Sequence, residues 1–177
     1  SAFLDADIGR LVWGFNVAFG DTKAARFKEA LQRIVDDSGD HELASTALHE
    51  LARTAYHEGD WVKAREIAQR GARIHPESAG GKFCANVVAD IEDKSAGATA
   101  ERIWNKPWPT IQIRYRNVTR IHFRLTAWDW GDFLEREHNR PERLSDEERE
   151  RVLRKRPAYE WSRDLPPTTD YQQHVVE

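Results

Sequence analysis

The sequence predicts an α+β chain: antiparallel helical hairpins come first, and an incomplete antiparallel β-sandwich with a helical insertion comes after them. Three observations carry this. Apolar residues recur at helical spacing from the first residues to about Ile91. Near Ser95, helix formers give way to Thr, Ile, Trp and Pro. Within Ile111–Trp128, apolar and charged residues alternate with a period of two. These place a helical domain over residues 1–95 and a β domain over 96–177, with a helical insertion at about 131–156.

The helices come first in the chain. Leu11, Val12, Phe15, Val17 and Ala18 form a short apolar segment that Gly20 ends, with Asp21 placed to cap the next helix. From Thr22 to Asp37, Ala25, Phe27, Ala30, Leu31, Ile34 and Val35 share a helical face. STALHELARTAYHEGDWVKAREIAQRGARIHPES then reads as a helical hairpin. Its first helix carries Leu48, Leu51, Ala52, Ala55 and Tyr56, and Gly59-Asp60 makes the turn. Trp61 opens the second helix, which carries Ala64, Ile67, Ala68 and Gly71 and stops at Pro76. Small residues at the crossing, an aromatic at the turn and a closing Pro resemble the tetratricopeptide repeat, through Leu51-Ala52, Gly59-Asp60, Ala64 and Pro76. A single such repeat needs helical neighbours to bury its face. GGKFCANVVADIEDKSA supplies one, with Phe83, Val87, Val88 and Ile91 on one side and Cys84 beside them.

The second half reads as strands. TAERIW is a candidate strand and NKPWP a turn. Ile111, Ile113 and Tyr115, then Ile121, Phe123 and Leu125, mark two strands joined as a hairpin at Asn117, a residue that tolerates turn geometry. Past Trp130 the chain is polar and helical, with Ser145 and Glu148 spaced as a capping box. Pro157 ends that segment, AYEWSRDL alternates as a strand, and DYQQHVV is extended. No further strands come after it to close a sandwich, so the chain reads as an excised piece of a longer protein.

Composition narrows the function classes. The chain has 177 residues, net charge −3 and 32% charged residues of interspersed sign, with a mean hydropathy of −0.76. No basic stripe argues for nucleic acid. No apolar run is long enough for a membrane span, and SAFLDADIGR lacks a signal peptide's basic-then-apolar order. The lone Cys84 has no partner for an internal disulfide and reads as a small buried core residue.

The order of motifs then resembles a known family. A helical pair ending in HPES is followed by GGKFCANVVADIE, by a PxxxIxYRNVTRIHFRL stretch and by YEWSRDLPPTTDYQQH. This resembles the amino-terminal region of bacterial alpha-2-macroglobulin-like proteins over roughly residues 65–177. Tyr115-Arg116-Asn117-Val118, Ile121, Phe123 and Arg124 carry the likeness, with Glu160-Trp161, Leu165-Pro166 and Asp170-Tyr171 downstream. The resemblance implies an early macroglobulin-type β-sandwich behind a helical segment. It also implies an extracytoplasmic parent, periplasmic or secreted, that traps proteases. The family's Cys-Gly-Glu-Gln thioester is absent, since Ala85-Asn86 follows Cys84, so only a scaffold role carries over. The expected partners are other domains of the parent chain, and proteases through the full-length protein.

No catalytic, cofactor-binding or metal-ligating set is expected, and no cofactor. His49 and His57, eight apart, are placed to share a helical face, but the paired-histidine spacing of a zinc metalloprotease is missing. Gly80-Gly81-Lys82 lacks the rest of a phosphate loop and reads as a helix start. Asn117-Val118-Thr119 matches a glycosylation sequon at a position where Asn also suits a turn. Trp104, Trp108, Trp128, Trp130 and Trp161 read as packing residues, with a ligand platform as the other reading. Arg114, Arg116, Arg120 and Arg124 read as a solvated hairpin face or a contact face for an adjoining domain. Against the scaffold reading stand a peptide-binding helical repeat and an enzyme fragment that uses the histidines.

Overall fold

Phe27, Leu31 and Val35 stand one helical turn apart, and that stripe seats α2 (Lys23–Ser38) against its neighbours. In the computed structural model, which describes residues 2–100, 110–127, 129, 131 and 144–177, the chain is α+β, with small antiparallel sheets and no closed barrel. Two compact units emerge: Ser1–Asn117 with Thr168–Glu177, and Val118–Pro167.

The first unit holds α1 (Ala2–Val17), α2, α3 (Leu43–His57), α4 (Trp61–Ile74) and α5 (Ala79–Glu92). Gly20, at φ 102°, turns the chain between α1 and α2. Thr22 occupies the α2 cap position without a side-chain bond, so Asp21 does not serve as the cap. α3 and α4 form the hairpin the sequence predicts. Gly59, at φ 84°, makes the turn, and Asp60 caps α4 by accepting from the Lys63 N–H at 3.0 Å. Tyr56 stacks on Trp61 across that turn, with centroids 4.9 Å apart.

α5 packs on both α3 and α4. Ser78 caps it, accepting from the Gly81 N–H at 3.0 Å. A Cβ at Gly80 would strike the Ser45–Thr46 backbone, and one at Gly81 the His75 carbonyl, so this glycine pair starts a close-packed helix. The core runs through Ile8, Phe27, Leu31, Val35, Ala47, Leu48, Leu51, Ala52, Ala68 and Cys84.

A three-stranded sheet completes this unit. β2 (Gln112–Arg116) is its centre, between β1 (Ser95–Thr99) and β5 (His174–Val176), both antiparallel. Ile113 and Tyr115 face inward and are buried, as their alternation predicts. β1 is SAGAT, upstream of the TAERIW strand the sequence suggested; residues 101–104 lie outside the described residues. Arg116 ties the sheet to the helices. It donates to the Asp90 and Asp93 carbonyls at 3.2 and 3.3 Å and lies over the Trp61 ring.

The second unit holds β3 (Arg120–Leu125), β4 (Tyr159–Asp164) and α6 (Asp146–Arg154). β3 and β4 pair antiparallel over six positions, from Arg120 opposite Asp164 to Leu125 opposite Tyr159. Phe123 stacks on Trp161 at 4.9 Å. Arg120 pairs with Asp164 at 2.6 Å, which holds that carboxyl below its ordinary range. α6 carries both halves of the Ser145–Glu148 capping box and lies within the insertion expected at 131–156; residues 132–143 lie outside the described residues.

One expectation needs correction. β2 and β3 do not form a hairpin: both edges of β2 are taken, and β3 pairs with β4. Asn117 sits between them at φ 56° and is tied elsewhere. Its amide Nδ2 donates to the Ile91 and Asp93 carbonyls at 2.7 and 2.9 Å. Its backbone N–H donates to Thr168 Oγ1 at 2.9 Å, and that hydroxyl donates to Asn117 Oδ1 at 3.2 Å. Thr168 is itself buried. By its internal contacts the first unit runs to Asn117 and takes in Thr168–Glu177, and Arg116 and Asn117 join its sheet to the carbonyls at the end of α5.

Candidate functional site

α3 and α5 are the leading helices of successive turns of the array, and they lie side by side. On α3, His49, Arg53 and His57 recur every four residues, so they rise along one face. On α5, Phe83, Asn86, Val87 and Asp90 follow the 3–4–7 spacing of a single face. The two faces meet around a cavity of about 280 Å³, which Tyr56 also lines. The two histidines therefore do share a face, as their spacing allows.

The floor of the groove is set by contacts on α3 and α5. His49 lies against the Phe83 ring at 5.3 Å, and Phe83 stands half out of the core that Ile91 enters fully. Behind His49 is Glu50, whose side chain is 13% exposed, with His49 Nδ1 at 3.4 Å and Arg53 Nη1 at 3.5 Å. The His49 contact first, and then the Arg53 charge, hold the Glu50 carboxyl below its ordinary value of 4.5 against the opposing effect of burial. Glu50 thereby fixes two of the groove's donor side chains. The lining offers guanidinium, imidazole and amide groups around an apolar centre, with Asp90 as a carboxylate. Such a surface can hydrogen-bond a polar or anionic group while an aliphatic side chain rests on Phe83 and Val87.

Cys84 faces the core beside Val87 and does not line the groove. It is fully buried, its Sγ donates to the Ser45 carbonyl at 3.5 Å, and burial pushes the thiol up to about 12. Ser45 Oγ donates to the Gly71 carbonyl at 2.9 Å, and a Cβ at Gly71 would come within 2.5 Å of Cys84 Sγ. The thiol is part of the crossing of α3, α4 and α5. Among the described residues, no group of three or more His, Cys, Asp or Glu side chains is arranged to hold a metal ion.

The four arginines belong to strands of two different sheets. Arg114 and Arg116 belong to β2, while Arg120 and Arg124 belong to β3, where Arg124 donates to the Leu153 carbonyl at 3.1 Å and faces Glu160. Asn117 of the sequon donates through its amide to the Ile91 carbonyl of α5 and to that of Asp93 just beyond it. Trp161 packs on Phe123; Trp104, Trp108, Trp128 and Trp130 lie outside the described residues.

Sequence reasoning missed the contribution of α5 to the groove. The signal was present in Phe83, Asn86, Val87 and Asp90, but only packing reveals that this face turns toward α3. No helix of the described residues is long and apolar enough to cross a membrane. Comparison with protein-family models, curated proteins and solved structures gives no match for this chain.

Proposed function

We propose that the chain is a non-catalytic scaffold segment of an alpha-2-macroglobulin-like protein, in which a helical repeat and a small sheet act as one rigid body. The parent, on this reading, is an extracytoplasmic trap for proteases. The observation that carries the scaffold role is the knot at Asn117. One side chain closes the C-terminal end of α5, and the same residue takes the Thr168 hydroxyl. The residues flanking it, Tyr115-Arg116-Asn117-Val118, are those that resemble the family. A scaffold needs such a junction because helices and sheet must move together to hold adjoining domains in place.

The test is trapping by the gene product that carries this segment. An enclosed protease loses access to a large protein substrate but still cleaves a small peptide. The expected result is that signature in the whole protein and its loss when Asn117 is changed to Asp. Whole protein that leaves large-substrate cleavage untouched refutes the trap reading. Turnover of a substrate by this chain alone refutes the non-catalytic one.

A second reading rests on the groove between α3 and α5: a tetratricopeptide-type module that holds a peptide against His49, Arg53 and Asn86. Saturable binding from a peptide library that Arg53→Ala abolishes would favour it. Binding unaffected by that change would exclude it.

A further inference from the structure

The α1–α2 hairpin presents a surface that the scaffold reading leaves unused. α1 sends Ile8 into the core, with Leu11, Val12 and Phe15 packed against it. Its other side carries Trp13, which is 68% exposed, and the loop to α2 carries Phe19, which is 99% exposed. Between them lies a cleft of about 500 Å³, lined by Arg10, Trp13, Phe15, Phe19, Lys23 and Arg26 among others. That volume is within the roughly 300–1,000 Å³ of sites that enclose a ligand or a few side chains. Exposed aromatic surface of this kind, next to a cleft, marks an interaction site.

The charge in the cleft selects the occupant. Arg10, Lys23 and Arg26 line it, and no Asp or Glu does, although the chain as a whole has net charge −3. The Lys23 ammonium is fixed at the rim: it donates to the Ala18 carbonyl at 3.2 Å and lies over the Phe15 ring, which itself stacks on Phe27 at 4.5 Å. Among the described residues, no hydrogen bond or ion pair engages the Arg26 guanidinium. Arg10 meets Asp7 at 3.1 Å in an exposed pair that contributes little. A second copy of the chain, docked symmetrically, would set the same three cations against these, which is repulsive. A membrane surface is flat, whereas the apolar lining here is concave.

We propose that the cleft between α1 and α2 is a docking site for an acidic amphipathic polypeptide segment. Apolar side chains at helical spacing enter between Trp13 and Phe19, and flanking carboxylates reach Arg26, Lys23 and Arg10. Trp and Arg are the residues on which interface energy concentrates, and both stand here with few competing contacts. The proposal is independent of the scaffold reading.

The experiment titrates the whole chain into a labelled synthetic helix of about four turns, with Leu at i, i+4 and i+7 and Glu on its flanks. Fluorescence anisotropy reads the binding. The expected result is saturable binding that weakens as salt rises from about 50 to 500 mM. Trp13→Ala, Phe19→Ser and Arg26→Glu are each expected to weaken it about tenfold or more. These side chains are on the surface, and unchanged circular dichroism checks the fold of each variant. Equal binding of a helix with Lys in place of Glu would overturn the proposal, as would no binding. Binding to vesicles of anionic lipid together with none to the acidic helix would also overturn it, in favour of a membrane surface.

Discussion

Asn117→Ala should be among the most damaging single changes outside the helical core. The wild-type amide donates twice, to the Ile91 and Asp93 carbonyls, and its oxygen accepts from Thr168. Each such bond contributes about 1 kcal/mol net, so their loss amounts to about 2–3 kcal/mol. Backbone geometry adds to this. Asn117 sits at φ 56°, where a residue with a Cβ and no local hydrogen bond is disfavoured by about 1–2 kcal/mol. Asparagine tolerates this region better than alanine but already bears part of that cost, so the alanine variant should lose about 2–4 kcal/mol; Asn117→Gly loses the same bonds but sheds the Cβ cost, and should lose about 1–2 kcal/mol less. Hydrogen exchange at the amides of α5 and β2 reads the local stability. Both elements should lose protection together in both variants, with alanine worse than glycine. Protection that falls in β2 and stays unchanged in α5 would refute the knot, and equal effects of Ala and Gly would refute the strain.

Three more outcomes are expected from the same geometry. With its thiol at about 12, Cys84 holds only about one part in 10⁵ as thiolate at pH 7, so a thiol reagent should label it at the rate of unfolding; fast labelling of native protein would contradict the burial. Gly81→Ala should destabilise the chain by about 1–3 kcal/mol or more, because the new methyl meets the His75 carbonyl; a neutral result in urea melts would show that α5 can shift away. Glu50 is held below 4.5 in the folded state, so the stability it contributes is present above that value and is lost as pH falls through the folded pKa; the difference in melting temperature between wild type and Glu50→Gln should be full at pH 7 and vanish at low pH, and a difference constant from pH 3 to pH 7 would rule the assignment out.

The helices were legible because their information is local. Phe27, Leu31 and Val35 give the period of α2, Gly59-Asp60-Trp61 gives a turn and a cap, and Ser145 with Glu148 gives both bonds of a capping box. Strand existence was legible from Ile113 and Tyr115 and from the alternation around Phe123, but strand pairing was not. β5 reaches β2 across more than fifty residues of sequence, and Thr168 reaches Asn117 likewise. No window along the chain contains both partners. β1 was missed for a different reason. Ser95-Ala-Gly-Ala-Thr99 has little intrinsic preference for an extended backbone, and its conformation is imposed by the β2 edge it covers. The groove lining split the same way: His49, Arg53 and His57 are visible as a series on α3, while Asn86 and Asp90 gain meaning only when α5 is laid beside them.

The discontinuity of the first unit sets an order of events during synthesis. Thr168–Glu177 belongs with residues up to Asn117, and the whole of Val118–Pro167 is interposed. On the ribosome, β2 emerges with β1 available and one edge bare, and it must wait for β5. The interposed β3–β4 ladder is translated in full before that last strand appears, so it can close first. Newly made chains thus pass through a stage with an open strand edge carrying Ile113 and Tyr115, the interval in which a chaperone has something to hold.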